Sequence, residues 1–86
     1  MFIILSYDIG QKRLNKVLKT CRKYLVHIQK SVFEGQISPS KYRQLKYELG
    51  QLIDVQVDSV IIYQLESPKF TLKEQIGVIE DNSFIL

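Results

Sequence analysis

The chain has little of several residue types, and each shortage excludes a class of protein. Cys21 is the single cysteine, so one copy can form no disulfide, and we expect a reducing cytoplasm. No apolar stretch approaches the roughly 18 residues of a membrane-spanning helix, so we expect no membrane association. The short apolar N-terminal run lacks a basic leader and predicts a strand rather than a signal peptide. The 86 residues predict one small domain whose limited core favours dimerisation.

Motifs of several enzyme classes are also missing. The sequence contains neither a P-loop nor a glycine-rich dinucleotide loop. His27 has no companion at metal-ligand spacing, and it forms no nucleophile motif with the nearby hydroxyls. Cys21 lies on an apolar helical stripe, so we expect a core thiol without chemistry of its own.

Acidic residues are scarce in the first half of the chain. Residues 1–43 carry nine Lys and Arg against two acids, Asp8 and Glu34, which is a net charge of +7. Residues 44–86 carry three Lys against seven acids, which is a net charge of −4. The overall charge of +3 therefore conceals a strong asymmetry, and a basic half of this kind predicts a face that binds a polyanion.

Hydrophobic periodicity predicts a strand followed by a helix at the N-terminus. Residues 2–8 are apolar at both parities, which is typical of a central strand covered on both faces. Residues 11–25 predict a helix with one apolar stripe and a basic opposite face. The stripe consists of Leu14, Val17, Leu18, Cys21 and Leu25.

The rest of the chain predicts further extended segments around a second helix. Residues 25–37 form either one bent strand or a tight hairpin, with Gly35 as a bulge or as the turn. Ser38 and Pro39 are typical of a helix cap and a first helical residue. Residues 58–65 predict a second central strand.

This order of elements predicts an α+β fold, the ferredoxin-like βαββαβ sandwich. We expect residues 1–86 to form a single domain, with a core of residues 1–66 and a C-terminal extension of residues 67–86. Both helices cover one face of such a sheet. A second copy of this small chain could cover the other face.

Asp8 stands at the end of the first strand and has two open interpretations. A carboxylate at the mouth of an apolar strand is costly to desolvate unless a proton, partner or cation compensates it. Asp8 could cap the first helix, or it could hold Mg²⁺, which binds one or two carboxylates together with waters and substrate phosphates. No other acid is close in sequence, so a metal site would need Asp8 of a two-fold-related copy.

The first helix carries the candidate nucleic-acid contacts. Charged helix faces are usually just solvated, but no acid lies between Asp8 and Glu34 to neutralise this one through i,i+4 pairs. Unneutralised like charge favours contact with a phosphate backbone. The candidate nucleic-acid-binding residues are Lys12, Arg13, Lys16, Lys19 and Lys23.

Three stretches occur in a characteristic order over residues 1–65. They are residues 7–9 (YDI), the basic helix leading into residues 28–35 (IQKSVFEG), and residues 58–63 (DSVIIY). Together they resemble a family of small CRISPR-associated adaptation proteins, which are partners of the spacer integrase and are also named endoribonucleases. The run in residues 28–35 is the most specific of the three.

The resemblance implies a homodimer with one shared site. Asp8 of each subunit would face the other across a Mg²⁺-dependent phosphodiesterase site. Tyr7, Phe33 and one basic residue, Arg13 or Lys16, would match further site positions. In the family an Arg often stands where this chain has His27.

The resemblance also implies an extra C-terminal strand, near residues 75–80, that adds to the partner's sheet. The implied function is CRISPR spacer acquisition in the prokaryotic cytoplasm. The dimer would hold duplex DNA for the integrase, with a possible Mg²⁺-dependent endonuclease activity on RNA or DNA. An alternative is the related ribonuclease toxin of the virulence-associated protein D type. A ferredoxin-like small-molecule sensor is less favoured, because it would not need the basic helix.

Overall fold

A four-stranded antiparallel sheet and two helices organise the chain. The computed structural model describes residues 1–66 together with residues 74, 76 and 77. The elements are β1 (Phe2–Asp8), α1 (Gln11–Arg22), β2 (Val26–Gln29), β3 (Val32–Gln36), α2 (Pro39–Leu52) and β4 (Ser59–Leu65). The strand order is β2-β3-β1-β4, and neighbouring strands are antiparallel. This order confirms the ferredoxin-like α+β prediction.

Alternate residues of β1 point to opposite faces of the sheet. We call the face that packs against α1 and α2 the helix-covered face and the other the open face. The buried residues on the helix-covered face of β1 are Ile3, Leu5 and Tyr7. The more exposed residues on the open face of β1 are Phe2, Ile4, Ser6 and Asp8. The central position predicted for this strand is confirmed.

Helix α1 begins where predicted but ends at Arg22, three residues before Leu25. The backbone N–H groups of Tyr24 and Leu25 both donate to the Cys21 carbonyl, at 3.1 and 2.9 Å. The chain therefore turns here toward β2. Leu25 is still buried, so it completes the apolar stripe from a turn rather than from the helix.

Residues 25–37 contain a hairpin of β2 and β3, which settles one of the alternatives left open by the sequence. The strands meet at the turn of Lys30 and Ser31. Gly35 lies inside β3, paired with Ile3, and is neither the turn nor a bulge. A Cβ at Gly35 would lie 3.4 Å from Cδ2 of Leu25, an ordinary van der Waals distance, so packing against this buried leucine does not require the glycine.

Helix α2 begins as predicted, and β4 does not lie where expected. The Ser38 hydroxyl accepts a 3.2 Å hydrogen bond from the Lys41 backbone N–H, and Pro39 follows as the first helical residue.

Strand β4 pairs with β1 and is an edge strand among the described residues. The prediction of a second central strand is therefore wrong for this part of the chain. Its residues at both parities are apolar because one parity packs on the core and the other lies on the open face.

The core lies between the sheet and the two helices. Its fully buried members include Phe33, Leu45, Val17 and Cys21. Burial raises the pKa of the Cys21 thiol to about 12, so this thiol stays protonated at neutral pH and has the inert core role that was predicted.

Part of the predicted architecture falls beyond these elements. The C-terminal extension of residues 67–86, with its strand near residues 75–80, lies outside the described residues except at positions 74, 76 and 77. Within the described part, no helix is long and apolar enough to cross a membrane.

Candidate metal and nucleic-acid site

Asp8 is exposed at the end of β1 on the open face. Its register partner on β4 is Ser59, and Ser6 precedes it on the same face of β1, so two hydroxyl-bearing residues neighbour the carboxylate. Helix α1 has Gly10 at its N-cap position and no side-chain cap. The capping interpretation of Asp8 is therefore wrong, and its carboxylate forms no ion pair with the described residues.

The donor chemistry around Asp8 suits a hard divalent cation. Mg²⁺ prefers carboxylate, hydroxyl and water oxygens and keeps several waters. An exposed carboxylate beside Ser6 and Ser59 offers such oxygens and leaves room for water. The described residues of one copy bring together no group of three His, Cys, Asp or Glu side chains. One described copy would therefore supply only part of such a site.

Asp58, close to this strand end, is a buried acid that the sequence interpretation left without a role. Its side chain is fully buried, and its two oxygens accept four hydrogen bonds. Oδ1 accepts from the Gly10 N–H at 2.8 Å and from Arg13 Nη2 at 2.9 Å. Oδ2 accepts from Arg13 Nε at 2.5 Å and from the Asp54 N–H at 2.8 Å. The bonds from Arg13 lower the pKa of Asp58 well below its usual range, helped by the two backbone N–H groups and opposed by burial.

Two of the five predicted nucleic-acid contacts are neutralised by acids from the second half of the chain. Arg13 pairs with Asp58, and this bond raises the pKa of its guanidinium. Lys23 pairs with Glu48 of α2, to which the Tyr24 hydroxyl also donates. Lys23 first and Tyr24 second hold the pKa of Glu48 below its ordinary value.

The other three predicted contacts remain available. They are exposed on α1 and form no ion pair within the described part of the chain. The three are Lys12, Lys16 and Lys19. We call them the α1 lysines; they form the free basic face of this helix.

Tyr7 and Phe33 lie on the helix-covered face, opposite to Asp8, and both are buried. The Tyr7 hydroxyl donates to the Lys30 carbonyl at 2.7 Å, and His27 Nε2 lies 3.2 Å from the same oxygen. The His27 and Phe33 rings are stacked, with centroids 4.4 Å apart and an angle of 8° between planes. Burial is the main cause that raises the pKa of Tyr7. These rings hold the hairpin turn against β1, whereas Asp8 faces the other way.

The fold and the site together define a class of protein. It is a small ferredoxin-like α+β protein with an exposed carboxylate at the end of β1 and a basic first helix. The open face of its sheet carries exposed apolar residues, among them Ile61 and Tyr63.

Comparison with known proteins identifies the family. The family model described as CRISPR associated protein Cas2 matches residues 1–72. The CRISPR-associated endoribonuclease Cas2 of Thermotoga maritima is 47% identical over 78 residues, which cover 91% of this chain and 90% of that protein. Its counterpart in Pyrococcus furiosus is 42% identical over 83 residues, which cover 94% of this chain and 98% of that protein.

Comparison with solved structures identifies the same family. A crystal structure of Streptococcus pyogenes Cas2 matches with a TM-score of 0.77 and 32% identity, covering 90% of this chain and 100% of that one. The chain belongs to the Cas2 family of CRISPR-associated proteins, which confirms the resemblance drawn from residues 1–65. These matches give no support to the ribonuclease-toxin and sensor alternatives.

Proposed function

We propose that this protein is a dimeric CRISPR adaptation protein that binds nucleic acid and cleaves it with a divalent metal ion held by Asp8. Its relatives in Thermotoga maritima and Pyrococcus furiosus are named endoribonucleases. In this chain the proposal depends above all on one observation. Asp8 is an exposed carboxylate at a strand end that neither caps the following helix nor pairs with a described cation.

The open face supports the dimer. Ile61 and Tyr63 of β4 are 53% and 60% exposed, and Phe2 and Ile4 of β1 lie on the same face beside them. Large apolar residues exposed together mark an interaction surface. A second copy covering this face supplies the second Asp8, provided that its two-fold axis passes near the end of β1.

The chemistry of the proposed site needs few residues. Bound Mg²⁺ would lower the pKa of a coordinated water and stabilise the charge that develops on a scissile phosphate. Asp8 from each copy would supply the ligands, and Ser59, its neighbour on β4, offers a hydroxyl for hydrogen bonding beside them.

The α1 lysines also support a binding role that does not need Asp8. In this role the dimer holds duplex DNA for the spacer integrase, with Lys16 and Lys19 as sequence-independent phosphate contacts. The two roles belong to different surfaces of the same protein. We propose that binding is the essential role and that cleavage depends additionally on the Asp8 pair.

The substitution Asp8→Asn tests the catalytic role. It keeps the size of the side chain and removes its charge, so cleavage should fall to background while the dimer and the fold persist. The measurement is Mg²⁺-dependent cleavage of single-stranded RNA and duplex DNA, with dimer mass determined in parallel.

Tyr7→Phe is the matched control, because Tyr7 adjoins Asp8 and faces the other way. It removes the hydrogen bond to the Lys30 carbonyl and should lower the stability of the fold by about 1 kcal/mol while cleavage persists. Undiminished cleavage by the Asp8→Asn protein would refute the metal role.

A further inference from the structure

We propose that Asp58 and Arg13 are positioning residues for Asp8. Their ion pair fixes the backbone on both sides of the Asp8 carboxylate and so sets where it can bind a cation. This inference rests on the proposed role of Asp8 as a metal ligand. It assigns a purpose to a buried acid that contributes nothing to the surface of the site.

The carboxylate of Asp58 connects two loops that are distant in sequence. Gly10 and Arg13 belong to the start of α1, and Asp54 belongs to the loop before β4. All three donate to the carboxylate of Asp58. The Asp58 N–H in turn donates to the Asp54 carbonyl at 2.7 Å. The carboxylate therefore closes its own loop and also anchors the loop between β1 and α1.

Asp8 lies next to the segments that the Asp58 carboxylate connects. Asp8 lies two residues before Gly10, whose N–H is bound by Asp58. Ser59, the register partner of Asp8, directly follows Asp58. One carboxylate thus restrains the chain immediately after Asp8 and the chain immediately before its cross-strand neighbour. The last pair of residues in the β1–β4 ladder is held from both strands.

Gly10 fits tightly against the side chain of Arg13. Its backbone angles, φ −59° and ψ 147°, are open to any residue, so conformational freedom does not explain the glycine. A Cβ there would lie 2.5 Å from Arg13 Nη2. That nitrogen is held by Asp58, so any larger side chain displaces the guanidinium from its partner. The glycine, the arginine and the aspartate form one unit.

The ion pair of Arg13 and Asp58 is better suited to fixing geometry than to adding stability. A buried ion pair is a poor source of stability compared with packed apolar groups, because both charges must be desolvated. Two parallel bonds from a planar guanidinium instead fix orientation as well as distance. This geometry suits a loop whose task is to hold one neighbouring carboxylate in place.

Asp58→Asn is the main test, because Asp58 has no access to nucleic acid. The variant keeps the volume of the side chain but turns an N–H group toward Arg13. We expect kcat for Mg²⁺-dependent cleavage to fall about 100-fold through misplacement of Asp8, while KM for the nucleic acid stays near its wild-type value. Hydrogen exchange at the Gly10 N–H should become faster. Arg13→Met should have the same effects as Asp58→Asn, and Arg13→Lys should retain part of the kcat that Arg13→Met loses.

Ser38→Ala is the control for a general loss of stability. Ser38 caps α2 and adjoins Ile37, which bonds to Met1 at the opposite end of β1 from Asp8. This variant should lower stability without changing kcat or exchange at Gly10. Equal kcat and equal Gly10 exchange in Asp58→Asn and Ser38→Ala would overturn the inference. So would a raised KM with unchanged kcat in Arg13→Met, because that result would make Arg13 a phosphate contact.

The exchange measurement separates this inference from the proposed function. If the wild-type protein does not cleave at all, the proposed nuclease function fails. Exchange at Gly10 still decides whether Asp58 holds the loop: faster exchange in the Asp58→Asn protein supports the positioning role, and unchanged exchange refutes it.

Discussion

The helix-covered face and the open face of the sheet share the same strands but serve different purposes. On the helix-covered face, Tyr7 and Phe33 are buried and bound to their neighbours. On the open face, Ile61 and Tyr63 are more than half exposed, and Asp8 lies at the end of β1. The pleat of β1 thus separates fold from proposed function at adjacent positions. Neighbouring residues in a motif need not share a role.

The two aspartates near the end of β1 differ in the same way. Asp58 is buried and accepts four hydrogen bonds, so its charge is fully used in holding the structure. Asp8 is exposed and forms no ion pair with the described residues. A carboxylate without an internal cation is the one that can bind a cation from solution, and the buried one can only act through its neighbours.

Placing a charge on the open face should have a large effect on the dimer. Ile61→Lys should weaken the dimer by at least about 1.5–3 kcal/mol, the contribution of a buried aliphatic side chain, because the ammonium must also be desolvated. The fold of one copy should persist, since Ile61 is exposed within it. Sedimentation equilibrium measures the dimer, and cleavage should fall together with it.

Leu45→Ala on the helix-covered side is the matched substitution in the core. It should lower the free energy of unfolding by about 2–5 kcal/mol, as measured by urea denaturation. A dimer that survives Ile61→Lys at wild-type affinity would show that the two faces do not differ as proposed.

Reversing charges on the surface of α1 should have a smaller effect, a loss of nucleic-acid binding. The double substitution Lys16→Glu with Lys19→Glu should weaken duplex binding and reduce the slope of log K against log salt by about 0.9 for each phosphate group that is no longer neutralised, or roughly 1.8 for each copy of the dimer that contacts the duplex. Titrations at several salt concentrations measure both quantities.

Arg43→Glu with Lys46→Glu is the control for this charge reversal. Both residues are exposed on α2, and the substitutions change the net charge by the same amount. An equal loss of binding in the two double variants would show that only overall charge matters and that α1 is not a specific contact face.

The smallest expected effect is the dependence of stability on pH that Asp58 produces. The pKa of Asp58 is lowered in the folded protein, so its stabilising contribution is complete above the unfolded pKa of about 3.9 and is lost as pH falls toward the folded value. The melting temperature of the wild type should therefore exceed that of Asp58→Asn at pH 7, and the difference should shrink below about pH 4. A difference that stays constant down to pH 3 would contradict this account.

Local signals predicted most of the elements. Short runs that are apolar at both parities indicated β1 and β4, periodic apolar residues indicated the helices, and Ser38 with Pro39 marked the start of α2. These signals work because burial of one face and the capping of a helix depend on residues close in sequence. The end of α1 was missed because Leu25 stays buried after the helix has ended.

Long-range pairings were not predictable in this way. The partners Lys23 and Glu48 are 25 positions apart, and Arg13 and Asp58 are 45 positions apart. No spacing rule connects them, so the basic helix looked wholly unneutralised. The edge position of β4 was missed for a related reason, since apolar residues at both parities do not distinguish a covered face from an exposed one.

The sequence alone determined the order of the elements, the family and the choice of Asp8 as the central residue, because these follow from local patterns and from a short specific motif. Only the tertiary structure decided which charges remain free. Packing brings acids of the second half against Arg13 and Lys23, and it turns Tyr7 away from Asp8. The physical reason is that an ion pair or a buried contact depends on distance in space, which the chain sets only after it has folded.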